Sequence, residues 1–117
     1  MHTTEHIDAA VLIGRFQPFH HGHAQLLKLA LDTAARVVVV LGSSFHARSA
    51  KNPFTWQERA RMIASTLPAA DSTRLTFIAI RDYYEDARWA AAVRAELDKL
   101  LPDASRIAAL KPTPCRK

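Results

Sequence analysis

Short apolar runs alternate along this chain with longer stretches in which apolar residues recur at helical spacing. Ala9 to Ile13 is continuously apolar, as a parallel strand covered on both faces would be. Arg36 to Leu41, R-V-V-V-V-L, is β-branched and unbroken, is closed by Gly42, and predicts a second strand. Leu75 to Ile80, L-T-F-I-A-I, predicts a third, and Arg106 to Leu110 a short fourth. From His21 to Ala35 the residues Leu26, Leu27, Leu29, Ala30, Leu31 and Ala34 follow a helical period. Thr55 opens a second helix with Glu58 three residues on, a capping box written T-W-Q-E. Met62, Ile63 and Leu67 supply its apolar stripe and Pro68 is expected to stop it. Ala87 to Leu101 predicts a third helix through Trp89, Val93, Leu97, Leu100 and Leu101.

Strands alternating with helices define an α/β chain with a doubly wound parallel sheet in three layers, α/β/α. Residues 9–110 are expected to form the one domain, between a flexible N-terminus, 1–8, and an irregular tail, 111–117. Ligands of such sheets bind beyond the carboxyl ends of the strands. The loops after Ile13, Leu41 and Ile80 all emerge at that edge.

Composition narrows the function. The chain has 117 residues, 49% of them hydrophobic, with only three glycines, which suits one packed globule. The formal charge of +5 invites a nucleic-acid reading, but the basic residues are scattered and no aromatic interleaving accompanies them. A basic pocket for a small phosphorylated ligand is expected instead. The lone cysteine, Cys115, excludes an internal disulfide and a cysteine zinc site and fits a reducing cytosol. Met1 to Asp8 is polar, the run after it is too short for a secretory signal, and no apolar stretch reaches the length of a membrane span. A cytoplasmic protein with no membrane partner is expected.

The stretch Gly14 to His23, G-R-F-Q-P-F-H-H-G-H, carries the chemistry. An apolar strand that ends at a glycine and passes through a loop into a helix presents backbone N–H groups to an anion. His20 and His23, three apart, share one helix face if the helix has begun. Gly22 between them leaves the backbone open to approach, and Arg15 adds a planar cation suited to phosphate oxygens. Separately, a histidine pair is usually surface and a Gly-Arg is usually a turn; their combination at a strand-to-helix junction describes a triphosphate site.

This ten-residue stretch resembles the H-x-G-H signature of the nucleotidylyltransferase superfamily, in the long form of nicotinamide-nucleotide adenylyltransferases, including the N-terminal domain of bifunctional adenylyltransferase/Nudix hydrolases. The resemblance extends over about residues 9–110 and implies a Rossmann-like fold. In the second loop Lys51 precedes N-P-F-T, residues 52–55, and W-Q-E-R follows, which is similar to the family's basic, Asn/Asp-Pro-Phe-Thr, Glu-Arg pattern. In the third loop Asp82, followed seven residues on by Trp89, is similar to the family's aspartate and tryptophan beside the nicotinamide nucleotide. Residue by residue, the resemblance implies catalytic roles for Arg15, His20, His23 and Lys51. It implies ATP contacts for Gly14, Arg15, Phe16, Gln17, His20, Gly22 and His23, and contacts to nicotinamide mononucleotide (NMN) for Phe16, Asp82 and Trp89. No residue is expected to ligate a metal; Mg²⁺ is expected to accompany ATP as hard cations prefer oxygen.

The implied reaction is adenylyl transfer from ATP to NMN, giving NAD and pyrophosphate. Plainer readings stand beside it. Trp89 also fits the helix's own core, Asp82 could cap that helix, Trp56 suits packing, and His46 is an isolated loop histidine. Family members carry a further motif of the type I-S-x-T-x-x-R after the fourth strand, whereas here K-P-T-P-C-R-K follows Leu110. A C-terminally truncated or frameshifted product is therefore expected, with an uncovered last strand that invites self-association. The competing reading is a nucleotide-binding module without turnover, and a related cytidylyl or pantetheine-phosphate adenylyl transferase is a lesser rival.

Overall fold

The computed structural model describes residues 8–16, 19–45, 48–50, 53–83 and 85–101, with the backbone of 107–110. In chain order the elements are β1 (Ala9–Gly14), α1 (His21–Thr33), β2 (Arg36–Leu41), α2 (Trp56–Ser65), α3 (Ala69–Ser72), β3 (Leu75–Ala79), α4 (Asp86–Leu100) and β4 (Ile107–Leu110). The four strands form one parallel sheet in the order β3-β2-β1-β4. β1 pairs with β2 from Ala9 opposite Arg36 to Gly14 opposite Leu41, and with β4 from Ala9 opposite Ile107 to Leu12 opposite Leu110.

Side chains alternate across a strand, so an unbroken apolar run feeds two cores at once. Val37, Val39 and Leu41 join Ala10, Leu12, Leu27, Ala30 and Ile63 beneath α1 and α2. Val38 and Val40 join Ala9, Val11, Ile78 and Val93 beneath α4. Each such valine, hidden from water, stabilises the fold by about 1.5–3 kcal/mol relative to exposure. The chain steps from β1 to β2 to β3 in one direction, then returns past β1 to lay down β4. A constant crossover hand puts α4 on the face opposite α1 and α2, which completes the three layers. The crevice where the order reverses lies outside the carboxyl ends of β1 and β4, so the loop leaving β1 is the one that faces it.

Some boundaries differ from the sequence reading. α1 stops at Thr33, and Ala34 is its C-cap. There the Arg74 guanidinium donates to the carbonyls of Leu31, Ala34 and Ala35 at 2.6, 2.7 and 2.9 Å, occupying acceptors that the helix end leaves open. Leu29, counted in the apolar stripe, is 51% exposed because it sits on the helix's outer face. Pro68 does not stop α2; it is the N-cap of the short helix α3, which the sequence pattern did not separate. α2 has already ended at Ser65, where the Ser65 and Thr66 hydroxyls donate to the carbonyls of Met62 and Ile63 at 2.8 and 2.7 Å. Such local bonds compete with helix continuation. Arg106 and the tail 111–117, with Cys115, lie outside the described residues, as does His46.

Candidate active site at the carboxyl edge

Helix α1 begins at His21, and the two signature histidines close its first turn. His20 is the N-cap: its Nδ1 accepts the Gly22 N–H at 3.2 Å. His23, at the third helical position, reaches back so that its Nδ1 accepts the His20 N–H at 3.1 Å. This is a capping box built from imidazoles where serine or threonine and glutamate are usual. With each Nδ1 accepting a backbone proton, the neutral form of each ring carries its own proton on Nε2. The rings stack with centroids 3.7 Å apart and planes at 24°.

His23 is 9% exposed. Its ring meets Phe16 edge-on at 4.7 Å and lies near-parallel to Phe19 at 5.7 Å. Burial first, and the neighbouring His20 second, lower its pKa from 6.5 to about 4. At neutral pH His23 is therefore a neutral N–H donor rather than a cation. Among the described residues no buried polar side-chain atom lacks a partner. Nε2 of His23 has no protein partner among those bonds, so it keeps contact with solvent.

The glycines serve this arrangement from within. A Cβ on Gly14 would stand 2.8 Å from Phe16 Cζ, and one on Gly22 would stand 3.2 Å from His20 Cε1. Gly14 makes room for the Phe16 ring and Gly22 for the folded-back His20 ring, rather than only for a ligand. Phe16 has a left-handed φ of 54° and a ring 1% exposed, tucked under His23. Phe16 thus packs beneath the histidine pair, on the loop where the resemblance expects it to contact ATP and NMN. Arg15 is exposed at the loop's start. Gln17 and Lys51 lie outside the described residues.

The residue that sequence reasoning missed is Arg59, noticed only as part of the W-Q-E-R pattern. It is 1% exposed, on the inner face of α2. Its Nη1 donates to the carbonyls of Arg15 at 2.6 Å and Gly42 at 2.8 Å, its Nη2 to Ser44 Oγ at 3.3 Å and its Nε to the Thr55 carbonyl at 3.3 Å. One guanidinium thus ties the loops after β1 and β2 to α2, using the fixed fork of donors that arginine alone offers. Burial, then the charge of Arg15, lowers its pKa. The predicted capping box at α2 is present: Thr55 N donates to Glu58 Oε1 at 2.9 Å and Glu58 N to Thr55 Oγ1 at 3.1 Å. Arg48, exposed on the second loop, grips both Glu58 oxygens at 2.9 and 3.2 Å and the Pro53 carbonyl at 2.7 Å. That grip, with the Thr55 N–H, holds the Glu58 carboxyl down to a pKa of about 2.

The third loop joins the same edge. Ser44 N donates to the Ile80 carbonyl at 2.9 Å, Gly42 N to the Gly14 carbonyl at 2.8 Å and Ser43 Oγ to Asp82 Oδ1 at 3.0 Å. Asp82 does not cap α4; the N-cap is Glu85. Trp89 is half-buried against the α4-side core, whereas Phe16 belongs to the opposite core. The structure therefore gathers Gly14, Arg15, Phe16, His20, Gly22 and His23 at the end of β1 and ties Asp82 in through Ser43. It does not bring the Phe16 and Trp89 rings together. Among the described residues no group of three His, Cys, Asp or Glu could hold a metal ion, and no helix is long and apolar enough to cross a membrane.

A parallel three-layer sheet with an H-x-G-H helix start at its switch point is the architecture of nucleotide-transferring enzymes, and the chain belongs to the cytidylyltransferase-like family, whose model matches residues 11–101. It is 38% identical over 100 residues to the nicotinamide/nicotinic acid mononucleotide adenylyltransferase of Acinetobacter baylyi, covering 86% of this chain and 53% of that one. It is 40% identical over 86 residues to the nicotinamide-nucleotide adenylyltransferase of Methanosphaerula palustris, covering 74% and 51%. The chain thus spans about half the length of the curated relatives it matches. Among solved structures, a Francisella tularensis bifunctional NMN adenylyltransferase/ADP ribose pyrophosphatase, complexed with AMP and a manganese ion, superposes with a TM-score of 0.81 at 35% identity, covering 88% of this chain and 31% of that one.

Proposed function

We propose that this chain transfers the adenylyl group of ATP to NMN, forming NAD and releasing pyrophosphate. The observation that carries the reading is the imidazole capping box at the switch point: two stacked rings whose Nδ1 atoms are occupied by backbone N–H groups, leaving two Nε2–H donors. An oxygen of the NMN 5′-phosphate attacks the α-phosphorus of ATP. The bond from that phosphorus to the oxygen bridging towards the β-phosphorus breaks, and pyrophosphate leaves with the electron pair. No covalent protein intermediate is needed, so the protein aligns two anions and stabilises spreading negative charge.

His20 and His23 donate to the ATP phosphates, and Gly14, Phe16, Gln17 and Gly22 are the further ATP-contacting residues of the same loop. Arg15 and Lys51 supply positive charge, which also favours pyrophosphate as it departs. Donation from a neutral His23 suits this task, since a low pKa keeps its proton count constant across the physiological range. Asp82 and Trp89 meet the nicotinamide nucleotide, whose cationic ring favours a carboxylate and an aromatic face. Mg²⁺ enters with ATP, held by phosphate oxygens and water. We place the reaction in the cytoplasm, where ATP is abundant.

The test is NAD formation from ATP, NMN and Mg²⁺ by the purified chain, with ATP binding measured in parallel. His23→Ala is expected to lower turnover by about 10²-fold or more, the usual effect of removing one donor to a transition-state oxyanion. Near-parental turnover in that variant removes His23 from the mechanism. The second reading is a nucleotide-binding module without turnover. ATP binding without NAD formation selects it.

A further inference from the structure

Among the described residues, three other than glycine have a left-handed backbone: Phe16, Ser43 and Phe45, with φ of 54°, 51° and 70°. All three lie on the loops after β1 and β2, at the carboxyl edge of the sheet. Packing accounts for Phe16, whose ring is buried beneath His23. Packing does not account for Ser43, a half-buried polar side chain in a conformation that glycine would adopt at lower cost.

The bonds around Ser43 do account for it. On one side Gly42 N is fixed to the Gly14 carbonyl, and on the other Ser44 N is fixed to the Ile80 carbonyl. Ser43 is therefore clamped where the three functional loops meet, and the left-handed turn sends its hydroxyl to Asp82 Oδ1 at 3.0 Å. Strain that persists because its surroundings over-determine it is a mark of functional positions.

We infer that Ser43 is a positioning residue for the nicotinamide nucleotide: its strained backbone aims the hydroxyl that fixes the Asp82 carboxylate. The inference rests on the proposed role of Asp82 in meeting that substrate and names how the role is enforced. A hydroxyl donor to one oxygen limits rotation of the carboxylate about its own axis. The negative charge then stays where a cationic ring can meet it, and the third loop stays in register with the second.

The decisive variant is Ser43→Gly, because backbone ease and side-chain function then move in opposite directions. NMN and ATP are titrated separately, by calorimetry, into the parent chain, Ser43→Gly, Asp82→Asn and the double variant, with thermal unfolding of each. Ser43→Gly is expected to unfold at the same temperature as the parent or higher. It should bind NMN about tenfold more weakly, the effect of losing one hydrogen bond to a charged group, while ATP affinity stays within about twofold. The double variant is expected to bind NMN no more weakly than Asp82→Asn alone, since both changes remove one interaction. Undiminished NMN affinity in Ser43→Gly, or equal weakening of NMN and ATP, overturns the positioning role while Asp82 keeps its own. A parent chain that does not bind NMN, or an Asp82→Asn variant that binds it normally, overturns the reading beneath it as well.

Discussion

Replacing Arg59 by alanine removes the guanidinium that joins two loops to α2. Its two short bonds, to the carbonyls of Arg15 at 2.6 Å and Gly42 at 2.8 Å, are charge-assisted. At about 1.5–3 kcal/mol each for hydrogen bonds involving a charged group, they sum to roughly 3–6 kcal/mol. The longer contacts to Ser44 Oγ and the Thr55 carbonyl, both at 3.3 Å, add less. Against this, the folded alanine variant no longer desolvates a cation that has no carboxylate partner among the described residues, a relief of up to several kcal/mol. Water entering the vacated space can also satisfy the two carbonyls in part. The net loss is about 3 kcal/mol, a large share of the 5–15 kcal/mol that separates folded from unfolded in a typical domain. Urea unfolding followed by far-ultraviolet circular dichroism measures it, with the m-value expected to hold and the midpoint to fall. Arg59→Met separates bonding from volume: it refills the space without donors and should lose nearly as much as alanine. An alanine variant within about 0.5 kcal/mol of the parent, the scatter of neutral surface changes, refutes the reasoning.

Other outcomes follow from the same geometry. Gly14→Ala sets a Cβ 2.8 Å from the Phe16 ring, which is buried and cannot retreat; a loss of about 1–3 kcal/mol, typical of overpacking, is expected in thermal unfolding. Below pH 6.5 an unfolded His23 takes up a proton that the folded one, with its pKa at about 4, refuses. Stability therefore falls as the pH drops from about 6.5 to about 4, by at most about 1.4 kcal/mol per unit, and His23→Phe should flatten that slope. Glu58 works in a lower window: its contribution is full above pH 4.5 and fades as the pH falls through about 2. Arg48→Ala should raise the Glu58 pKa, read from carboxyl resonances in a nuclear magnetic resonance titration.

The sheet was legible because β-branched runs permit little else. Val37 to Val40 cannot hide both of their faces in a helix at the surface, and a capping box such as Thr55 with Glu58 writes its own hydrogen bonds into the sequence. The strand-to-helix junction from Gly14 to His23 was legible for a related reason, since a glycine at the end of an apolar strand and a helical repeat after it mark where one element gives way to the next. Arg59 was not. An arginine on an amphipathic helix reads as a solvated charge, and its true partners are carbonyls 44 and 17 positions away that no local pattern reveals. The left-handed Phe16 and Ser43 were hidden because a non-glycine residue carries no sign of positive φ until the loops are closed. Arg74 escaped notice likewise, since capping the end of α1 spans 40 positions to Ala34.

An imidazole that begins a helix has only half of itself to give. His20 and His23 each spend one nitrogen on the backbone, so the folding of α1 and the proposed reading of phosphate draw on opposite edges of the same rings. Changes there confound two losses, and inactivity in an alanine variant at His20 does not separate a missing donor from a frayed helix. Asparagine at this position would restore a cap while offering no imidazole, so comparing the two substitutions divides architecture from chemistry. The same economy limits what selection can alter: drift at either histidine has to satisfy the chain's own amides before any nucleotide is met.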